Sequence, residues 1–292
     1  MKNEEIKNKK YSLSKIISYV CEAPFLAIPT FLIINLALNQ KNFLIIQIIS
    51  LFFATILPIF LISLWSKMKN VDRDYTVKET RNYVLLIGTT IYFIGALTLW
   101  FLSANPLTLA LMFCYGMNTF IVFLINLRWK ISVHSMGLTG PTTALMFLNP
   151  WFFILGLIGP LIMWSRITLK KHTLGQVLAG SFLGYILTAI QLYYLIWLMN
   201  FNLNVDLYLI FLIILGLTLP PLFLFLSSYL NDTRVCEGHI RKIFYFLAFA
   251  STLVFLIFSP VIPFAAFILS GIVSIVIIFF GGLDFQAERL KN

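Results

Sequence analysis

The chain is a run of long apolar blocks joined by short loops, and its basic residues fall almost wholly on every second loop. The blocks lie at about 23–39, 42–65, 83–102, 106–127, 136–148, 150–165, 173–199, 206–229, 243–259 and 262–283. Most reach the ~20 residues a helix needs to cross ~30 Å of hydrocarbon. Taking each block as one crossing puts all of the 21 Lys and Arg residues on one side except Lys41. Cytoplasmic loops carry the Lys/Arg excess, so both termini are expected in the cytoplasm. Hydrophobic residues make up 60% of the chain and charged ones 11%, against about 25% charged in soluble domains. The Leu, Ile and Phe runs lack the alternation of barrel strands. The expected fold is all-α: a polytopic transmembrane bundle of about ten spans.

Two blocks, 136–148 and 150–165, are short and split by Asn149-Pro150. Proline cannot continue a helix without losing a backbone hydrogen bond. They read as a helical hairpin, short because protein surrounds it; one kinked or re-entrant segment is the alternative. The charges favour the hairpin, because a single span there would move Arg166, Lys170 and Lys171 to the outer face. The organisation is then a basic N-terminus (1–22), two helices (23–65), a core (66–199) and a C-terminal group of helices (200–292).

The net charge of +10 follows from the one-sided loops and argues for contact with anionic lipid; nucleic acid is not an expected partner. Cys21, Cys114 and Cys236 have no metal-ligand spacing. Neither a metal nor another cofactor is expected, and the sequence leaves the oligomeric state open. Three loops on the basic side carry the chemistry: KMKNVDRDYTVKETRN from Lys67, RWKISVHS from Arg128 and SRITLKKHTLGQ from Ser165. Each joins two spans, so they share one membrane depth. Together they offer several cations, two imidazoles and hydroxyls, the inventory for gripping a phosphoryl group and transferring it to histidine.

In these loops the chain resembles the superfamily of type 2 phosphatidic acid phosphatases, whose motifs are KxxxxxxRP, PSGH and SRxxxxxHxxxD. Ser165, Arg166 and His172 stand at the third motif's spacing. Ser132 and His134 match half of the second, with Ile131 and Val133 in place of Pro and Gly. In the first, Arg81 stands for the Arg, Asn82 replaces Pro and Asp74 occupies the Lys position, with Arg73 and Lys78 as nearby substitutes. The resemblance covers about 66–199.

It implies His172 as the nucleophile that becomes phosphohistidine, and His134 as the acid that protonates the leaving oxygen and then activates water. It also implies Arg166, Arg81, Ser132, Lys78 and Arg73 as phosphate-binding groups. Ser132 is equally readable as a helix N-cap, and Ser165 as structural. Gln176 departs from the pattern: the family places Asp there, one turn after the nucleophile, to hold its Nδ1–H. A Gln carbonyl accepts that bond but brings no charge. The expectation is a metal-independent lipid phosphatase of the cell (plasma) membrane, its site facing the cytoplasm. Its substrate would be a phosphate or diphosphate monoester on an apolar lipid, an isoprenoid phosphate or phosphatidic acid. The alternative is a non-catalytic transporter or headgroup-binding protein.

Overall fold

The computed structural model describes residues 2–69, 78–203, 205–232 and 238–277, with side chains at 8–68, 81–203, 205–227 and 246–277 apart from 256 and 258. Every regular element among them is helical. Helix α1 (Lys2–Val20) meets α2 (Ala23–Ala37) at a bend of 46°. Helix α3 (Phe43–Leu51) runs through a π-helical turn at Phe52–Ile56 into α4 (Leu57–Lys69). Pro58 follows that turn and has no N–H to give to Ala54, a local reason for the altered ladder. Then come α5 (Lys78–Phe101), α6 (Pro106–Asn126), α7 (Val133–Leu148), the short α8 (Phe153–Gly156), α9 (Gly159–Thr168) and α10 (Leu174–Leu198). The C-terminal helices are α11 (Leu207–Asp232), α12 (Gly238–Phe258) and α13 (Val261–Val276).

Six stretches among the described residues are long and apolar enough to cross a membrane: Phe43–Met68, Arg81–Phe101, Pro106–Asn126, Pro150–Thr168, Leu174–Leu198 and Leu207–Ser227. Counting the bent pair α1–α2 as one span gives up to seven. The expected blocks at 23–39 and 136–148 do not reach that length unaided, and those at 243–259 and 262–283 lie partly outside the described residues, which give apolar stretches of Phe246–Phe255 and Val261–Val276 there. Helix α2 has 15 residues and relies on α1. Helix α7 has 16, about 24 Å at 1.5 Å per residue, and its side chains from Ser135 to Phe147 are nearly all buried except Gly137. It is the central helix, enclosed by α2, α6, α9 and α10. Protein rather than lipid sets its length.

The chain breaks where Asn149-Pro150 predicts. Asn149 leaves helical geometry (φ −154°, ψ 122°), and its side chain accepts a hydrogen bond from Trp151 N–H. The returning segment runs antiparallel to α7. Leu138 packs with Ile162, and His134 and Arg166, at the far ends of the two arms, line one cavity.

Close packing of α10 on α7 depends on Gly180 and Gly184, a small-xxx-small pair. A Cβ on Gly180 would lie 2.3 Å from the Ser132 carbonyl, and one on Gly184 2.0 Å from Thr139 Oγ1. Because these glycines let the backbones touch, Ser132 N–H donates to the Gln176 carbonyl at 3.2 Å. The second and third sequence motifs are thereby fixed side by side.

Candidate functional site

The turn from α9 to α10 aims the main histidine. Lys171 N–H donates to the Arg166 carbonyl, and Lys170 N–H to that of Ile167, the paired closure of a Schellman motif. Lys170 holds the left-handed position that usually carries glycine, with φ 55°. The reversal brings His172 back over Arg166. Helix α10 then starts with Gln176 reaching back, its Oε1 accepting from Thr173 N–H at 3.3 Å. The same oxygen lies 3.0 Å from His172 Nδ1.

These two contacts fix a tautomer. A backbone N–H can only donate, so the Gln176 atom it meets is the oxygen. His172 Nδ1 faces an acceptor and therefore carries the hydrogen. In the neutral ring Nε2 then holds the lone pair. Burial, together with the nearby Arg166, Lys130 and Arg81 cations, pushes the His172 pKa from 6.5 down to about 3, against a smaller upward pull from Gln176. The imidazole is neutral across the physiological range, the form a nucleophile needs.

Arg81 and Arg166 are buried, at 6% and 2% exposure. Nη2 of Arg81 donates to the Ile131 carbonyl at 2.5 Å, just before the second motif. Its Nη1 has no hydrogen-bond partner among the described residues. Nη1 of Arg166 donates to Ser18 Oγ, from α1. The two guanidinium groups act on one another electrostatically, a repulsion that an anion between them would relieve. Lys130 Nζ donates to the Lys171 carbonyl at 3.2 Å.

Arg81, Arg166, His134 and His172 line a single cavity with Glu22. Away from the cations its wall is apolar, built from Ile59, Ile62, Leu85 and Ile91 with Tyr92. Ala23, Leu85, Tyr92, Thr119 and Val133 also border a second, largely apolar hollow against α6 and α7, which adjoins the first.

Ser132 is fully buried and caps α7. Its Oγ accepts from Ser135 N–H at 3.4 Å and from Ser135 Oγ at 3.1 Å. Of its two sequence readings, the structure displays the cap. Ser165 is tied to α1 by a hydrogen bond from its Oγ to the Ser14 carbonyl at 2.8 Å. Arg73, with Asp72 and Asp74, lies outside the described residues, as do the side chains of Lys78 and Glu79. Among the described residues, no cluster of three or more His, Cys, Asp or Glu could hold a metal ion.

Two site neighbours carry no motif. Ser18 and Glu22 come from the segment read as a basic tail, 1–22. A spacing signal was present, since Ser14 and Ser18 of α1 and Cys21 just beyond it are buried and repeat at helical intervals. Long basic and aromatic neighbours masked that stripe.

No protein-family model matches the chain, and neither a curated protein nor a solved structure is significantly similar to it.

Proposed function

We propose that the protein is an integral membrane lipid phosphatase that works without a metal, through a phosphohistidine on His172. The carrying observation is that a neutral imidazole with a free Nε2 lone pair shares one cavity with two buried guanidinium groups, and that this cavity continues as an apolar trough. A dianionic phosphoryl group suits the cationic end, and a hydrocarbon chain suits the other. The substrate class is a phosphate or diphosphate monoester of an apolar lipid, either an isoprenoid phosphate or phosphatidic acid.

In this reading Arg81 and Arg166 hold the phosphate oxygens, and Arg166 trades its bond to Ser18 for one to substrate. Nε2 of His172 attacks phosphorus, the ester P–O bond breaks, and His134 gives its proton to the departing oxygen. Water then attacks phosphorus, His134 takes its proton, and the N–P electron pair returns to Nε2 as inorganic phosphate leaves. The imidazolium that forms on His172 leans on Gln176 Oε1, a dipole where a carboxylate would supply charge. Arg73 and Lys78 are further candidate phosphate ligands. The sidedness of the basic residues supports ten spans, cytoplasmic termini and a site facing the cytoplasm, and the cell (plasma) membrane is the location proposed with it.

The same Gln176 favours a second reading, a protein that holds anionic headgroups without turning them over. Phosphate release from a short isoprenoid phosphate and from phosphatidic acid, by purified protein in excess chelator, separates the two. Release with either lipid supports the enzyme; headgroup binding with no release supports the binder. Orientation is tested by thiol labelling of Asn204→Cys, expected from outside intact cells, and of Asn70→Cys, expected only after permeabilisation.

A further inference from the structure

We propose that Glu22 is the carboxylate partner of His134, a positioning residue that holds this imidazole at the cavity and stabilises its protonated form. The catalytic consequence rests on the phosphatase reading; the pairing itself does not. Oε1 of Glu22 lies 4.0 Å from Nε2 of His134, with the histidine side chain 18% exposed and the glutamate 38%.

The local backbone explains the direction of this carboxylate. Glu22 is the N-cap of α2 and has the extended backbone of a cap (φ −66°, ψ 141°), yet its side chain makes no capping hydrogen bond. The second residue of the helix is Pro24, which has no N–H to offer. The next amide, Phe25 N–H, already bonds the Glu22 carbonyl at 3.0 Å. A cap acid ordinarily spends its oxygens on those amides; here the Glu22 side chain lines the cavity instead.

Packing sets the distance. A Cβ on Gly137, one turn after His134, would lie 2.4 Å from the Ala23 Cβ. Only glycine lets the α1–α2 corner approach the first turn of α7 so closely. On the other side, Thr55 Oγ1 donates to the Pro24 carbonyl at 2.8 Å and fixes the corner against the π-helical turn that precedes α4.

Charge gives the pair its purpose. The titratable and cationic groups around the same cavity are Arg81 and Tyr92 of α5, Arg166 of α9 and His172 of the turn that follows it. Two permanent cations and the N-terminal end of α7 all oppose a positive charge on His134. Glu22 is the one carboxylate lining the cavity among the described residues. In the first step the His134 imidazolium gives its proton to the leaving oxygen, and in the second the neutral ring takes a proton from water. Glu22 stays ionised throughout and favours the charged half of that cycle.

The chain has 3 histidines, so histidine-labelled protein in nanodiscs gives few imidazoles to follow by NMR, with His134→Gln assigning the resonance. In Glu22→Gln the His134 midpoint is expected to fall by roughly one pH unit, tenfold in proton affinity. In Glu22→Asp, which withdraws the charge by one methylene, it should fall by a few tenths. An unchanged midpoint in the folded Gln variant overturns the pairing, and if that variant does not fold, an unchanged midpoint in the Asp variant does the same. In turnover, Glu22→Gln should lower kcat by about ten- to a hundredfold with KM nearly constant, and Glu22→Asp should recover much of the loss. Unaltered kcat in both variants overturns the catalytic role. A shifted midpoint in a wild-type protein that releases no phosphate supports the pair and removes the phosphatase reading instead.

Discussion

The two ends of the helical core solve the burial of polar groups in opposite ways. At the end away from the cavity, about 18 Å along α2 from Ala23, five uncharged side chains close on one another. Asn35 Nδ2 donates to Gln47 Oε1 at 2.8 Å, and Asn35 Oδ1 accepts from Asn105 Nδ2 at 2.9 Å and Thr108 Oγ1 at 2.6 Å. Gln40 Oε1 takes both the Asn105 backbone N–H and its Nδ2. At the other end lie two buried guanidinium groups and two imidazoles, with a donor of Arg81 unpartnered among the described residues. A neutral, closed amide knot within apolar helices is a structural weld. A cluster of mutually repelling cations is not, and it costs stability until an anion arrives. The contrast separates an uncharged, hydrogen-bonded knot from a pair of buried guanidinium groups with an Arg81 donor unpartnered among the described residues.

The strongest way to break that comparison is His172→Ala. Turnover is expected to drop by roughly 10³-fold or more, while the thermal unfolding midpoint in detergent stays within a few degrees. Retained turnover in a preparation free of other phosphatases would remove His172 as nucleophile. The mirror experiment is Asn35→Ala. It removes the Asn35 partner of Gln47 and of the Thr108 hydroxyl, while Asn105 keeps Gln40, and buried polar groups without partners cost about 1–3 kcal/mol each. A stability loss of about 2–4 kcal/mol is expected, with kcat of the folded fraction unchanged. A large fall in kcat at full stability would show that the knot is part of the site.

Gln176→Glu sharpens the contrast at one atom. Glutamate is isosteric, so its oxygen keeps the contacts to Thr173 N–H and His172 Nδ1 and adds the charge that stabilises the imidazolium. A gain of about tenfold in kcat is expected, equivalent to ~1.4 kcal/mol; no gain would mean that formation of phosphohistidine is not rate-limiting. The last test concerns acid. The His172 pKa is about 3 in the folded protein against 6.5 ordinarily. Below pH 6.5 the unfolded chain takes up a proton that the folded chain refuses until about pH 3. Stability from this group is therefore complete above 6.5 and is lost as pH falls towards 3. Unfolding midpoints measured across that window should fall less steeply in His172→Ala than in the wild type.

Composition points to a membrane protein, and the unbroken apolar runs, which lack the alternation of barrel strands, choose helices over the other backbone that lipid allows. Local sequence also reaches the break at Asn149-Pro150 and the contact of His172 with Gln176. Both depend on residues within a few positions of each other, where proline chemistry and the helical repeat decide. Gly180 and Gly184 took on meaning only with the structure, which sets their partners at Ser132 and Thr139. Membership of the cavity was of the same kind. Arg81 reaches the Ile131 carbonyl across 50 residues, and Arg166 reaches Ser18 across 148. Glu22 meets His134 only because Gly137 admits Ala23. The shortness of block 136–148 and the break at Asn149-Pro150 already marked α7 as a helix that protein surrounds, since its 16 residues fall short of the ~20 that a lipid-exposed span needs. Only the arrangement of neighbours decided which helices enclose it, and that its first turn carries His134 to the cavity.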